Sequence, residues 1–193
     1  LLVRRVHALP PLDRPRSVSP GQWIAYYRRA LQRRGGGGKV LEGRHRPRGR
    51  LQRIAQSLIE ELSEGLSSSP ALCHSDLHVQ NLLIAPGGAP VILDWEYAHI
   101  SDPWWDLAGW ACNGDLTAEQ GELLLRHYLG REPTPAQAGR LRRLAWLYDY
   151  VCLLWSRLYL TSRSDGGEAG GDAPGDAVAA RAERLADRLR HNR

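Results

Sequence analysis

The chain has 193 residues, 42% of them hydrophobic and 24% charged, which suits a globular protein with a real core and excludes a wholly disordered chain. No stretch approaches the roughly 20 apolar residues of a membrane span, and no secretory leader is expected, because Leu1-Leu2-Val3 runs straight into Arg4-Arg5. The net charge of +5 is uneven: residues 1–53 hold 14 Lys and Arg against 2 Asp and Glu, and residues 54–193 hold 12 against 19. A basic arm can meet nucleic acid or steer a polyphosphate. Solvated helix faces and an Arg-rich loop account for it better, so nucleic acid is disfavoured as a partner and no membrane is expected. Cys73, Cys112 and Cys152 stand in apolar contexts, which argues for buried thiols in a reducing compartment and hence a cytoplasmic location.

Leu1 to Leu9 has the pattern of a helix end, stopped by Pro10-Pro11. Ser19-Pro20 reads as an N-cap followed by a first-turn proline. The helix then continues through Trp23, Tyr26, Tyr27 and Leu31 to about Arg34. Gly35 to Gly38 with Lys39 invites a phosphate-loop reading, but that motif needs glycine at 33 and Ser or Thr at 40, where the chain has Arg33 and Val40. Residues 35–48 are expected to be a flexible linker. A helix over about Gly49–Gly65 carries Leu51, Ile54, Leu58, Ile59 and Leu62 on one face.

The most informative stretch runs from Leu72 to Asp106, LCHSDLHVQNLLIAPGGAPVILDWEYAHISDPWWD. Short apolar runs bracket a polar loop containing His74, Asp76 and Asn81. Pro86-Gly87-Gly88 is turn chemistry, and Val91-Ile92-Leu93 leads into Asp94. Folding back at that turn would bring Asp76, Asn81 and Asp94 to one edge of a small sheet. After Asp102-Pro103 the pattern is helical, with Trp104, Leu107, Ala108 and Ala111 on one face. Asp115 or Thr117 can cap the next helix, and Thr134-Pro135 opens a long one with Leu141, Leu144, Tyr148, Val151, Trp155 and Leu158 in three- and four-residue steps. Residues 162–176 are Gly-, Asp- and Ser-rich and are expected to be a disordered loop. Asp176 is placed to cap a last helix bearing Val178, Leu185 and Leu189.

The order HSDLHVQN, ILDWEYA, DPWWDLA resembles the aminoglycoside phosphotransferase and choline kinase family, with Trp95-Glu96-Tyr97 most similar to bacterial choline and thiamine kinases. VRRVHALPP resembles the segment just after that family's hinge. The resemblance implies an α+β, protein-kinase-like C-terminal lobe, mainly helical, with a small antiparallel hairpin bearing the site and the N-terminal lobe absent. Residues 1–193 would form that lobe. It implies Asp76 as the catalytic base, Asn81 and Asp94 as Mg2+ ligands, and His74 and Asp106 as supports of the loop. His78 and Glu96 are candidate contacts to substrate or metal, although a solvated histidine and a surface glutamate explain them as well. Trp104 and Trp105 are candidate faces for a cationic substrate, set against the commoner role of tryptophan as core.

The residue types suit phosphoryl transfer, which needs positioning and charge neutralisation more than covalent help. Asn and Asp offer one neutral and one charged hard oxygen to a cation shared with phosphates. The implied reaction moves a phosphoryl group from ATP to a hydroxyl of a small cationic molecule, choline- or thiamine-like, with an aminoglycoside less favoured. The strand lysine and glycine loop that grip the nucleotide have no counterpart before His74. Methionine is absent too. The chain therefore reads as a fragment of a longer kinase, poorly active by itself. The competing reading is a non-catalytic kinase-like binding or scaffolding module.

Overall fold

The computed structural model describes residues 2–10, 17–34, 49–64, 69–164 and 175–191. The expected linker at 35–48 lies outside the described residues. Among the described residues the protein is mainly helical with two small antiparallel sheets, and the chain divides into two compact units, residues 1–19 with 65–148 and residues 20–64 with 149–193.

In the first unit α1 (Leu2–His7) buries Val3 and Val6 and packs near β1 (Ala71–Cys73). β1 pairs with β4 (His99–Ser101), with Cys73 opposite His99. Val18 donates to Ile100 O at 3.2 Å and accepts from Ser101 Oγ at 2.9 Å, extending that sheet. The second sheet is the hairpin of β2 (Leu82–Ile84) and β3 (Pro90–Ile92), in register Leu83 to Val91. Its turn closes with Gly88 N to Ala85 O and Ala85 N to Ala89 O, both 2.8 Å. Gly88 takes φ +80, the left-handed position of a three-residue hairpin loop that glycine fills without strain. The single hairpin of the sequence pattern is thus one of two sheets, since β1 and β4 are too far apart in sequence for periodicity to pair them.

Three helices complete this unit. α4 (Trp104–Asn113) is almost wholly buried. α5 (Ala118–Leu129) starts on Thr117, whose hydroxyl accepts from Gln120 N while the Gln120 side chain accepts from Thr117 N. Asp115 is not the cap. The first half of α6 (Pro135–Ser164) buries Leu141, Leu144, Leu147 and Tyr148 here.

The second unit is helical. α2 (Pro20–Arg33) buries Ile24, Tyr27 and Leu31, and Tyr26 is instead 55% exposed. α3 (Arg50–Glu64) buries Leu51, Ile54 and Leu58. α6 continues here with Leu153 and Leu154 fully buried, off the predicted stripe, because this helix is covered on more than one face. α7 (Gly175–His191) buries Val178, Leu185 and Leu189 as its pattern predicts, and Arg188 pairs with Asp149 at 2.7 Å. α6 reaches Ser164 and α7 begins at Gly175, so the ends of the expected loop at 162–176 are helical and its interior lies outside the described residues. Asp176 falls inside the first turn rather than at the cap. Among the described residues no helix is long and apolar enough to cross a membrane.

Candidate active site

The loop from Cys73 to Asn81 leaves β1 and enters β2 through a 3-10 turn over Val79–Asn81. Its first bend is tight: Ser75 adopts φ +71. That bend turns two successive backbone N–H groups toward Asp106, whose Oδ2 accepts from His74 N at 2.8 Å and whose Oδ1 accepts from Ser75 N at 2.7 Å. Asp106 is 1% exposed and sits in the first turn of α4. A carboxylate can be buried there because donors meet both oxygens and the helix N-terminus favours negative charge. A third donor comes from α1: His7 Nε2 lies 3.0 Å from Asp106 Oδ2, and His7 Nδ1 lies 2.9 Å from the Tyr128 hydroxyl.

His74 is buried and fastens the loop to the second sheet. Its Nε2 donates to Leu93 O at 2.7 Å, and its Nδ1 accepts from Asp76 N at 3.3 Å, which defines the Nε2–H tautomer. The Trp95 ring meets it edge-on, centroids 4.9 Å apart. Asn81, 7% exposed, donates from Nδ2 to Asp76 O at 2.9 Å, and its own carbonyl accepts from Leu93 N at 2.9 Å. These bonds set Asp76, Asn81 and the strand leading into Asp94 side by side.

Asp94 is exposed and left-handed, φ +58. Its neighbour Tyr97 reports the charge around it. Burial, then the charges of Glu96 and Asp76, a hydrogen bond to the Glu96 side chain and the charge of Asp94 all push the Tyr97 hydroxyl up from its ordinary value. The negative charges of Asp76, Asp94 and Glu96 thus all bear on that hydroxyl. The Asp76 carboxylate is also 3.4 Å from His78 Nε2, and His78 Nδ1 lies 2.8 Å from Gln80 Oε1. His78 is thus an internal partner of Asp76.

The two tryptophans follow the core reading. Trp104 is 7% and Trp105 2% exposed. The Trp104 ring face is taken by the Arg140 guanidinium, 5.5 Å away, which also pairs with Asp102. Trp105 packs on Tyr148 at 5.1 Å. Both belong to the interior.

Among the described residues the one group of three or more His, Cys, Asp or Glu ligand atoms close enough for a metal is His7, Cys73 and Asp106. Hydrogen bonds already engage it. The Cys73 thiol, which burial and then Asp106 and Asp102 push far up, stays protonated and points toward Ala71 O and Asp102 O. Its members are tied into the scaffold by these bonds.

A family model described as phosphotransferase enzyme family matches residues 1–146. The chain belongs to the phosphotransferase enzyme family. Solved structures agree with that. A choline/ethanolamine kinase family protein from Mesorhizobium loti is 27% identical with a TM-score of 0.76, over 97% of this chain and 58% of that one. Choline kinase LicA from Streptococcus pneumoniae is 21% identical with a TM-score of 0.71, over 98% and 60%. Spectinomycin phosphotransferase, solved with ADP and spectinomycin, is 12% identical with a TM-score of 0.59, over 98% and 62%. The last two likenesses carry the fold alone. The chain spans about three fifths of the length of these proteins. No curated protein matches it.

Sequence reasoning passed over four residues of this candidate site. His7 stood inside the quoted VRRVHALPP segment, and a histidine at a helix end just before prolines was the available signal. Tyr97 lay in the quoted WEY. Ser75 and His99 carried no signal, because their meeting depends on the register of β1 against β4.

Proposed function

We propose that this chain is the part of an ATP-dependent phosphotransferase that carries the base and the metal ligands, and that it phosphorylates a hydroxyl of a small cationic molecule of the choline type. The observation that carries the reading is the ring of bonds from Asp76 O to Asn81 Nδ2, from Asn81 O to Leu93 N, and from Leu93 O to His74 Nε2. It holds the proposed base, the neutral oxygen ligand and the approach to Asp94 in one frame, the pre-organisation phosphoryl transfer requires.

Asp76 would accept or orient the proton of the attacking hydroxyl, with His78 beside its carboxylate. Asn81 and Asp94 fit Mg2+ by donor chemistry: the Nδ2 bond to Asp76 O orients the amide, and Asp94 contributes an exposed carboxylate. Bound there, Mg2+ would neutralise charge on the transferred phosphate. The excess of negative charge from Asp76, Asp94 and Glu96 favours cations nearby, and choline kinases among the structural neighbours support choline as the first acceptor to test.

The experiment is ADP release from Mg-ATP with choline, ethanolamine, thiamine and spectinomycin as acceptors. Release stimulated by choline above the other acceptors is expected, and weak turnover by residues 1–193 alone. Release stimulated by spectinomycin alone would move the acceptor to the aminoglycoside class. Mg-ATP binding with no acceptor-dependent release would make the chain a binding module.

A further inference from the structure

We propose that Ser75 is a positioning residue, whose hydroxyl, held by the buried His99 imidazole, fastens the Asp76 loop to the segment that follows Asp94. The inference rests on the phosphotransferase reading above. Ser75 sits at φ +71, a conformation glycine adopts freely and side chains rarely do. Its side chain is engaged there: Ser75 Oγ lies 3.2 Å from His99 Nδ1. The same nitrogen lies 2.7 Å from Tyr97 O. A carbonyl can only accept, so Nδ1 carries the hydrogen, and Ser75 Oγ is a second acceptor of that shared proton. His99 is 4% exposed on β4, directly opposite Cys73 of β1, so strand register holds the ring against the start of the loop.

The consequence concerns Asp94. It occupies a left-handed turn, φ +58, between two anchors. Before it, Leu93 is bonded on both sides, to Asn81 O and to His74 Nε2. After it, Tyr97 is bonded through its carbonyl to His99 and from there to Ser75. The first anchor sets where the strand ends. The second sets how far the Asp94–Tyr97 segment stands from Asp76, and thereby the spacing of a proposed metal ligand from the proposed base. Asp106 fixes only the backbone of Ser75, so the hydroxyl supplies a separate restraint.

Two variants of the chain separate this restraint from backbone strain. Ser75→Ala removes the hydroxyl and keeps the Cβ. Ser75→Gly removes the hydroxyl and relieves the φ. Both are expected to lower kcat about tenfold with choline and Mg-ATP while KM for Mg-ATP stays within about twofold, because misplacement of the base acts on the chemical step. The glycine variant should melt at or above the wild-type temperature, showing that the loss is not instability. In amide hydrogen exchange, Asp76 and Tyr97 should exchange about tenfold faster in both variants, with α4 unchanged. Wild-type kcat in either variant would overturn the proposal. So would wild-type exchange at Asp76 and Tyr97, whatever the activity. If the wild-type chain releases no ADP with choline, the phosphotransferase reading fails separately, and exchange alone decides whether the Ser75 restraint exists.

Discussion

Asp106 and Asp76 are thirty residues apart, and their environments assign them opposite tasks. Asp106 is sealed in, and three donors meet its oxygens. An amide in its place presents an N–H2 to one of those donors, which leaves a buried pair of donors facing each other. Asp106→Asn is expected to cost about 2 kcal/mol or more in urea unfolding. Asp76 has 36% of its side chain exposed and faces His78 rather than the core. Asp76→Asn should leave the urea midpoint unchanged and reduce acceptor-dependent ADP release about 10²- to 10⁴-fold. A destabilised Asp76→Asn with intact turnover would reverse the assignment. HSD and DPWWD were legible as a pair in the sequence because the motif spacing carries them. The bond from His7 was not, since it joins positions 99 residues apart.

The helices show which features are local and which are imposed. Thr117 carries a capping box written entirely in four consecutive residues, Thr117 to Gln120. Thr117→Ala is expected to cost about 1 kcal/mol, read as a shift in thermal midpoint. Gly109 is different. A Cβ there would lie 2.9 Å from Tyr148 Cε2, so α4 and α6 approach each other through its missing side chain. Gly109→Ala should destabilise by about 1–3 kcal/mol despite alanine's better helix propensity. An unchanged midpoint would mean Tyr148 moves aside freely. Propensity alone recommends alanine at this position, and only the packed neighbour reverses the sign.

At the scale of the molecule, stability should depend on pH on the alkaline side. Burial, then Asp106 and Asp102, pushes the Cys73 thiol far above its ordinary 9.0. Burial, followed by the charges of Cys73, Asp102 and Asp106, pushes the Tyr128 hydroxyl up to about 12 from 10.0. Above about pH 9 the unfolded chain sheds protons that the folded chain keeps, so it binds fewer and stability falls as pH rises. The urea midpoint should therefore drop between about pH 8 and pH 10.5, and Cys73→Ala should flatten the part of that drop that begins near 9. A flat wild-type profile would show that these groups titrate freely in the fold. Within that cluster His7 Nε2 meets the Asp106 carboxylate, while the Cys73 thiol turns to the carbonyls of Ala71 and Asp102.

By itself the sequence determined the family, the helices and the identity of the motif residues. Those signals are local: caps, turns, three- and four-residue apolar steps, and a motif whose spacing survives in one dimension. Tertiary structure decided what those residues touch. It buried Trp104 and Trp105, which the family resemblance offered as substrate faces, because Arg140 and Tyr148 cover them from α6. It added a second sheet, β1 with β4, to the expected hairpin, joined His7 to Asp106, and set Ser75 against His99. Each of those contacts spans tens of residues of chain and depends on strand register or helix packing, which hydrophobic periodicity does not encode.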